Sequence, residues 1–115
     1  GLKTTLHRVG TLGHPVVTAR TQGSASYDCF FSGHIDTVFP SGTVSERPFR
    51  REGNFVYGPG TVDMKAGALL ILYLAEYLRE EHPTLSFTIA LNSDEEIGSP
   101  VIFSSLKDSA SKVSL

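Results

Sequence analysis

The chain has 115 residues, 40% of them apolar and 19% charged, which gives room for one domain with a modest core and is unlike a disordered polymer. Ten Lys and Arg against twelve Asp and Glu leave a formal charge of -2, and no basic stripe gathers the cations, so nucleic acid is excluded as the main partner. A single cysteine, Cys29, excludes a disulfide framework, and its setting in Tyr27-Asp28-Cys29-Phe30-Phe31 reads as core packing inside a strand rather than a thiol site.

Leu6 to Val9 and Pro15 to Arg20 read as two short strands around the turn from Gly10 to His14. Gln22 to Ser26 is a polar loop. Tyr27 to Gly33 is a compact aromatic-rich run suited to a strand buried on both faces, with His34 and Asp36 on the loop that follows. Phe49 to Arg51 and Asn54 to Tyr57 flank Glu52-Gly53 as a small hairpin, in which Arg47, Arg50 and Arg51 form a solvated face.

Gly58-Pro59-Gly60 forces an irregular turn before a helix from about Lys65 to Glu80, which Pro83 stops. The N-terminal half of that helix is apolar on every side, so sheet and neighbours are expected to cover it. No apolar run reaches the length of a membrane-spanning helix, although Ala66 to Ala75 is apolar throughout. No secretory leader is recognisable, but the chain opens on Gly1 rather than Met. The compartment expected is therefore the cytoplasm, with the periplasm and secretion left open.

Leu85 to Asn92 is the clearest strand, and Asp94-Glu95-Glu96 follows at its C-terminal end. Ser99 reads as an N-cap with Pro100 at the first helical position of a helix running towards Lys107. The tail from Asp108 to Leu115 is small and polar and reads as a break between elements. Strand, long helix and strand in this order imply a right-handed βαβ crossover in an α/β fold, whose functional groups gather at the carboxyl ends of the strands.

Three patches carry the chemistry. In His34-Ile35-Asp36, residues two apart on an extended loop point the same way, so Asp36 can accept one imidazole N–H while the other ring nitrogen faces a metal. The bland alternative is an ordinary satisfied histidine. Asp63, the sole acid between Tyr57 and Gly67, reads as a helix N-cap, a ligand, or both. Asp94-Glu95-Glu96 sets three adjacent carboxylates after a buried strand, an arrangement that repels itself unless a cation or proton offsets it, or unless it is a solvated acidic turn. Neighbouring glutamates can divide labour, one on a metal and one moving a proton. Gly58-Pro59-Gly60 lacks the spacing of a phosphate loop, and no serine sits in a nucleophile elbow.

Taken together, Gly33-His34-Ile35-Asp36-Thr37, Gly60-Thr61-Val62-Asp63-Met64-Lys65 and Asn92-Ser93-Asp94-Glu95-Glu96 resemble the co-catalytic zinc peptidases, the family of glutamate carboxypeptidase, aminoacylase and succinyl-diaminopimelate desuccinylase. The likeness runs from Phe31 to Ser99, and the stretch from Thr43 to Gly60 looks most like the glutamate carboxypeptidase branch. It implies a central, mostly parallel β-sheet flanked by helices, and hydrolysis of an amide bond by water between two zinc ions, with Co2+ as an alternative metal. It further implies His34, Asp63 and Glu96 as metal ligands, Asp63 bridging both ions across a cis peptide bond to Met64. Asp36 would orient His34, and Glu95 would be the general base. Implied substrates are small peptides or N-acylated amino acids, without nucleic acid or membrane, and a lid domain would make homodimers.

The family supplies one further carboxylate ligand beyond the double glutamate and one histidine near its own C-terminus, and neither has a counterpart before Leu115. Each ion would then keep two protein ligands, Asp63 shared, where three are expected. Residues 1–115 are accordingly expected to be part of a catalytic domain, without its C-terminal part or the lid, and inactive in isolation. The competing reading is a catalytically inactive, truncated α/β module that binds a cation weakly or not at all.

Overall fold

The computed structural model describes residues 1–113. Six strands and three helices follow one another as β1 (Lys3–Val9), β2 (His14–Arg20), β3 (Cys29–His34), α1 (Thr43–Glu46), β4 (Arg50–Glu52), β5 (Phe55–Tyr57), α2 (Ala66–Glu81), β6 (Phe87–Asn92) and α3 (Phe103–Ala110). A four-stranded sheet in the order β1-β2-β6-β3 forms the centre, and β4 and β5 make a separate hairpin. The fold is therefore mixed α/β.

The expectation of a mostly parallel sheet is met at only one of the three pairings. β1 with β2 and β2 with β6 run antiparallel, and β3 with β6 runs parallel. The reason lies in the connections: the turn between Val9 and His14 is too short for anything but a hairpin, whereas a parallel pair needs a long crossover. The stretch between β3 and β6, which contains α2, is that crossover.

β6 is the central strand of this arrangement. Phe87, Ile89 and Leu91 face α2, whose Ile71, Ala75 and Leu78 come down on them at helical spacing. Thr88, Ala90 and Asn92 face the other way, where Val16, Ala90 and Leu106 of α3 line one cleft. Phe87, Ile89 and Ala90 are buried, so both faces of β6 are covered. By contrast β3, expected to be buried on both faces, is an edge strand with Phe30 and Phe31 half-buried and Ser32 exposed.

Sheet covers α2 on one side only. Leu70, Tyr73 and Tyr77 form a second apolar stripe that is more than half exposed among the described residues. A single sheet layer buries a stripe about 100° wide, and this helix is apolar over a wider arc than that. No helix is long and apolar enough to cross a membrane among the described residues.

The start of α3 also differs from expectation. Ser99 has φ 49°, in the left-handed region, and its hydroxyl accepts from the Asn92 amide (3.2 Å) instead of capping a helix. The helix begins at Phe103, whose N–H donates to the Ser99 carbonyl at 3.1 Å. The Asp94 carboxylate accepts from the N–H groups of Val101 and Ile102, in the turn just ahead of that helix. The tail expected from Asp108 onward is helical as far as Ala110, and residues 114 and 115 lie outside the described residues.

Where the parallel pair begins, Asp28 Oδ2 accepts from the backbone N–H of Ser86 (2.7 Å) and from its hydroxyl (2.8 Å), while the Asp28 N–H donates back to Ser86 Oγ at 3.2 Å. The bonds from the Ser86 backbone and hydroxyl hold the Asp28 carboxyl below its ordinary value. A depressed carboxylate contributes stability above its unfolded-state pKa and loses it as pH falls through the folded value. Asp28→Ala is expected to lower the thermal midpoint at neutral pH. In a pH series of melts, the gap from wild type should close in acid; a gap independent of pH would contradict the clamp.

Candidate metal centre

His34 and Asn92 are the last residues of β3 and β6 and are direct partners in the parallel register. The Ile35 N–H donates to the Asn92 carbonyl at 2.8 Å, so the two departing loops start side by side. The first and third patches are thereby brought to one sheet end. Asp63 arrives from the irregular turn Thr61–Lys65 that leads into α2, with non-helical backbone at Asp63 and Met64 and a cis bond between them. Its carboxylate caps no helix: Oδ1 lies 3.0 Å from His34 Nε2 instead.

The His34 ring is buried, 5% exposed, and each nitrogen has a distinct environment. Nδ1 lies 3.2 Å from the Asp36 carbonyl oxygen, with hydrogen-bond geometry, and 3.3 Å from Asp36 Oδ1. Nε2 faces Asp63 Oδ1 at 3.0 Å and Glu95 Oε2 at 3.7 Å. Burial pushes the imidazole pKa down, but the bond to Asp63, the Asp36 carbonyl and the charges of Asp36 and Glu95 together hold it above the ordinary value. Asp36 thus sits on one side of the ring and the acids on the other.

Asp36 links two patches. Its Oδ2 accepts from the Glu96 N–H at 3.0 Å, and its Oδ1 is buried beside the ring without a well-formed hydrogen bond. One donor atom each from His34, Asp63 and Glu96 lies within 4.8 Å of the others. One imidazole nitrogen and two carboxylate oxygens suit a divalent first-row ion such as zinc. The orphaned Asp36 Oδ1 fits the same role: it can take the Nδ1 proton and leave the Nε2 lone pair for a cation. The residues present therefore fit a metal.

Met64, Gly33 and Gly67 stand in or beside the patches read from the sequence, but their contact with one another escaped that reading. The His34 N–H donates to Met64 Sδ at 3.3 Å, which ties the Asp63 turn to the end of β3. A Cβ on Gly33 would approach Met64 Cε, Ile71 Cδ1 and Leu91 Cδ2 at 3.1–3.2 Å, and one on Gly67 would meet Met64 Cε at 2.9 Å. The thioether is seated between these glycines, a contact no local pattern announces. Lys65 adds a further tie, donating from Nζ to the Ile35 carbonyl at 3.1 Å.

Comparison with known proteins points to one family. The sequence profile of peptidase family M20/M25/M40 matches residues 30–113. Carboxypeptidase G2 of Pseudomonas sp. (strain RS-16) is 34% identical over 87 residues, 72% of this chain and 20% of that protein. A putative succinyl-diaminopimelate desuccinylase of Mycobacterium tuberculosis (strain ATCC 25618 / H37Rv) is 40% identical over 83 residues, 72% of this chain and 22% of that protein. A succinyl-diaminopimelate desuccinylase of Roseobacter denitrificans is 32% identical over 102 residues, 84% of this chain and 24% of that protein. The chain thus spans about a fifth to a quarter of the length of these relatives.

Two expected outcomes follow from the geometry. In metal-free protein, the raised His34 pKa contributes stability that is complete below the unfolded-state value and is lost as pH rises through the folded one. Asp63→Asn should lower the His34 midpoint in an NMR titration; an unchanged midpoint would refute the Asp63 contact as a cause. At Gly60, φ is 71° and an added Cβ would lie 2.5 Å from Thr37 Cγ2 and 3.2 Å from the Asp63 carbonyl. Gly60→Ala is expected to cost about 2 kcal/mol or more in urea unfolding, and a loss within error would contradict the close approach of Thr37.

Proposed function

The chain belongs to peptidase family M20/M25/M40, and on that premise we propose that it carries part of a two-zinc centre that hydrolyses an amide bond. The observation that carries this reading is the convergence of His34, Asp63 and Glu96 at one sheet end, with Asp36 behind the imidazole. Asp63 is proposed to bridge the two ions, His34 to hold one and Glu96 the other. Zinc, when bound, supplies Lewis acidity towards an amide carbonyl and towards water.

The chain's own residues would do the rest. Asp36 holds the His34 ring in one tautomer, with Nε2 turned to the ligand cluster. Glu95 has a half-exposed carboxylate at the rim of the cluster, 3.7 Å from Nε2, so a proton can reach it from outside. Hydrolysis adds a water oxygen to the amide carbon, breaks the carbon–nitrogen bond and delivers a proton to the departing nitrogen. A single carboxylate that takes the water proton and hands it to the amine serves both transfers.

With Asp63 shared, these residues give each ion two protein ligands where a catalytic zinc takes three. Turnover is therefore proposed for the enzyme at full length, with a small peptide or N-acylated amino acid as substrate. The relatives' names, a carboxypeptidase and desuccinylases, support cleavage of an acyl–nitrogen bond.

Calorimetric titration should show zinc binding by the 115-residue chain that His34→Ala and Asp63→Ala each abolish; binding indifferent to both changes would sink the assignment. In the full-length enzyme, Glu95→Gln should keep zinc affinity and lower the hydrolysis rate by about a hundredfold or more. The 115-residue chain alone should hydrolyse acylated amino acids negligibly even with zinc. Robust turnover by it would show that its ligand set is sufficient.

A further inference from the structure

Asp94 precedes the two glutamates, yet it faces the opposite way. Only 1% of it is exposed, among the deepest burials of any charged group described. Both carboxylate oxygens are engaged: Oδ1 accepts from Asn92 Nδ2 at 3.1 Å, and Oδ2 accepts from the backbone N–H groups of Val101 (3.2 Å) and Ile102 (3.3 Å). Its carbonyl accepts from the Ser99 N–H at 2.7 Å. One residue therefore bonds to both the strand behind the glutamates and the segment ahead of them.

The loop so closed has little freedom left. Glu95–Ile97 forms a single 3₁₀ turn, Gly98 sits at φ 86° and Ser99 at φ 49°. Asn92 is the register partner of His34, and its amide also donates to Ser99 Oγ at 3.2 Å. A continuous set of bonds thus runs from the strand pair that carries His34, through Asn92 and Asp94, to the two ends of the glutamate turn. At the far side the Glu96 N–H reaches Asp36 Oδ2 at 3.0 Å. Bonds from backbone donors to an ionised carboxylate are short of alternatives in a buried site, and losing the acceptor strands those donors.

We propose that Asp94 is the positioning residue of the metal centre: it fixes the turn that presents Glu95 and Glu96 to His34 and Asp63, without itself touching metal or substrate. This rests on the metal-site reading above, but the loop geometry it predicts exists without metal. A buried carboxylate that served only to hold the sheet together would have no reason to bond both sides of the glutamate turn.

The test compares wild-type chain with Asp94→Ala and Asp94→Asn, by amide hydrogen exchange without metal and by calorimetric titration with zinc. In Asp94→Ala the Glu96 N–H should exchange about tenfold faster and zinc should bind about tenfold more weakly or worse, while the sheet amides of Ile89 and Ala90 keep wild-type rates. Asp94→Asn keeps the volume and one acceptor but loses the charge, and should show both changes at about threefold. This variant decides the matter if Asp94→Ala does not fold. Either readout at its wild-type value in a folded variant overturns the proposal, and so does Glu96 exchange that accelerates in step with Ile89 and Ala90. A wild-type chain that takes up no zinc would refute the metal-centre reading instead, leaving the exchange rates to judge Asp94.

Discussion

The parallel pairing of β3 with β6 is the constraint on which the candidate site depends. Its register sets His34 opposite Asn92, so the two loops that leave the sheet do so from adjacent points on one edge. Strands lie about 4.8 Å apart, which is close to the reach of a side chain around a shared ion. Slipping this pair by one residue would turn His34 to the other face and part it from Asp63. The Asp28–Ser86 bonds at one end and the Ile35–Asn92 bond at the other hold the register at both limits of the pair.

A second theme is how the molecule manages its own charge. Asp36, Asp63, Glu95 and Glu96 gather around one buried imidazole. The bond to Asp63, the Asp36 carbonyl and the charges of Asp36 and Glu95 favour the protonated ring, which is why the His34 pKa rises despite burial. A divalent cation would replace that proton. Asp94 is kept out of this competition by burial on the opposite side of the loop, where peptide N–H groups and an amide satisfy it.

Much of this was legible in the residues. The strands, the long helix and the hairpin lie within a few residues of where apolar patterning and turn chemistry place them, because those signals are local. Where the reading failed, a distant partner had intervened. Ser99 has the right type for a helix cap, but Asn92 claims its hydroxyl, and Asp94 claims the N–H groups of the turn ahead of the helix. For Asp63, where cap and ligand are both open readings, the carboxylate caps no helix and turns to His34. The apolar circumference of α2 reads as a covered helix, and only the sheet order reveals that one layer lies against it.

By itself the sequence determined the residue types at three strand or helix ends, their order, and the family they belong to. The first two follow from short-range pattern, and the third from the resemblance that the three motifs carry to a known family. Tertiary structure alone decided that the three ends meet, that the sheet is antiparallel at two of its three pairings, and that Met64, Gly33 and Gly67 form the seat that brings Asp63 to His34. The physical reason is the same in each case. Pairing and close approach between residues far apart in the chain are settled by register and packing, and neither leaves a mark in the local sequence.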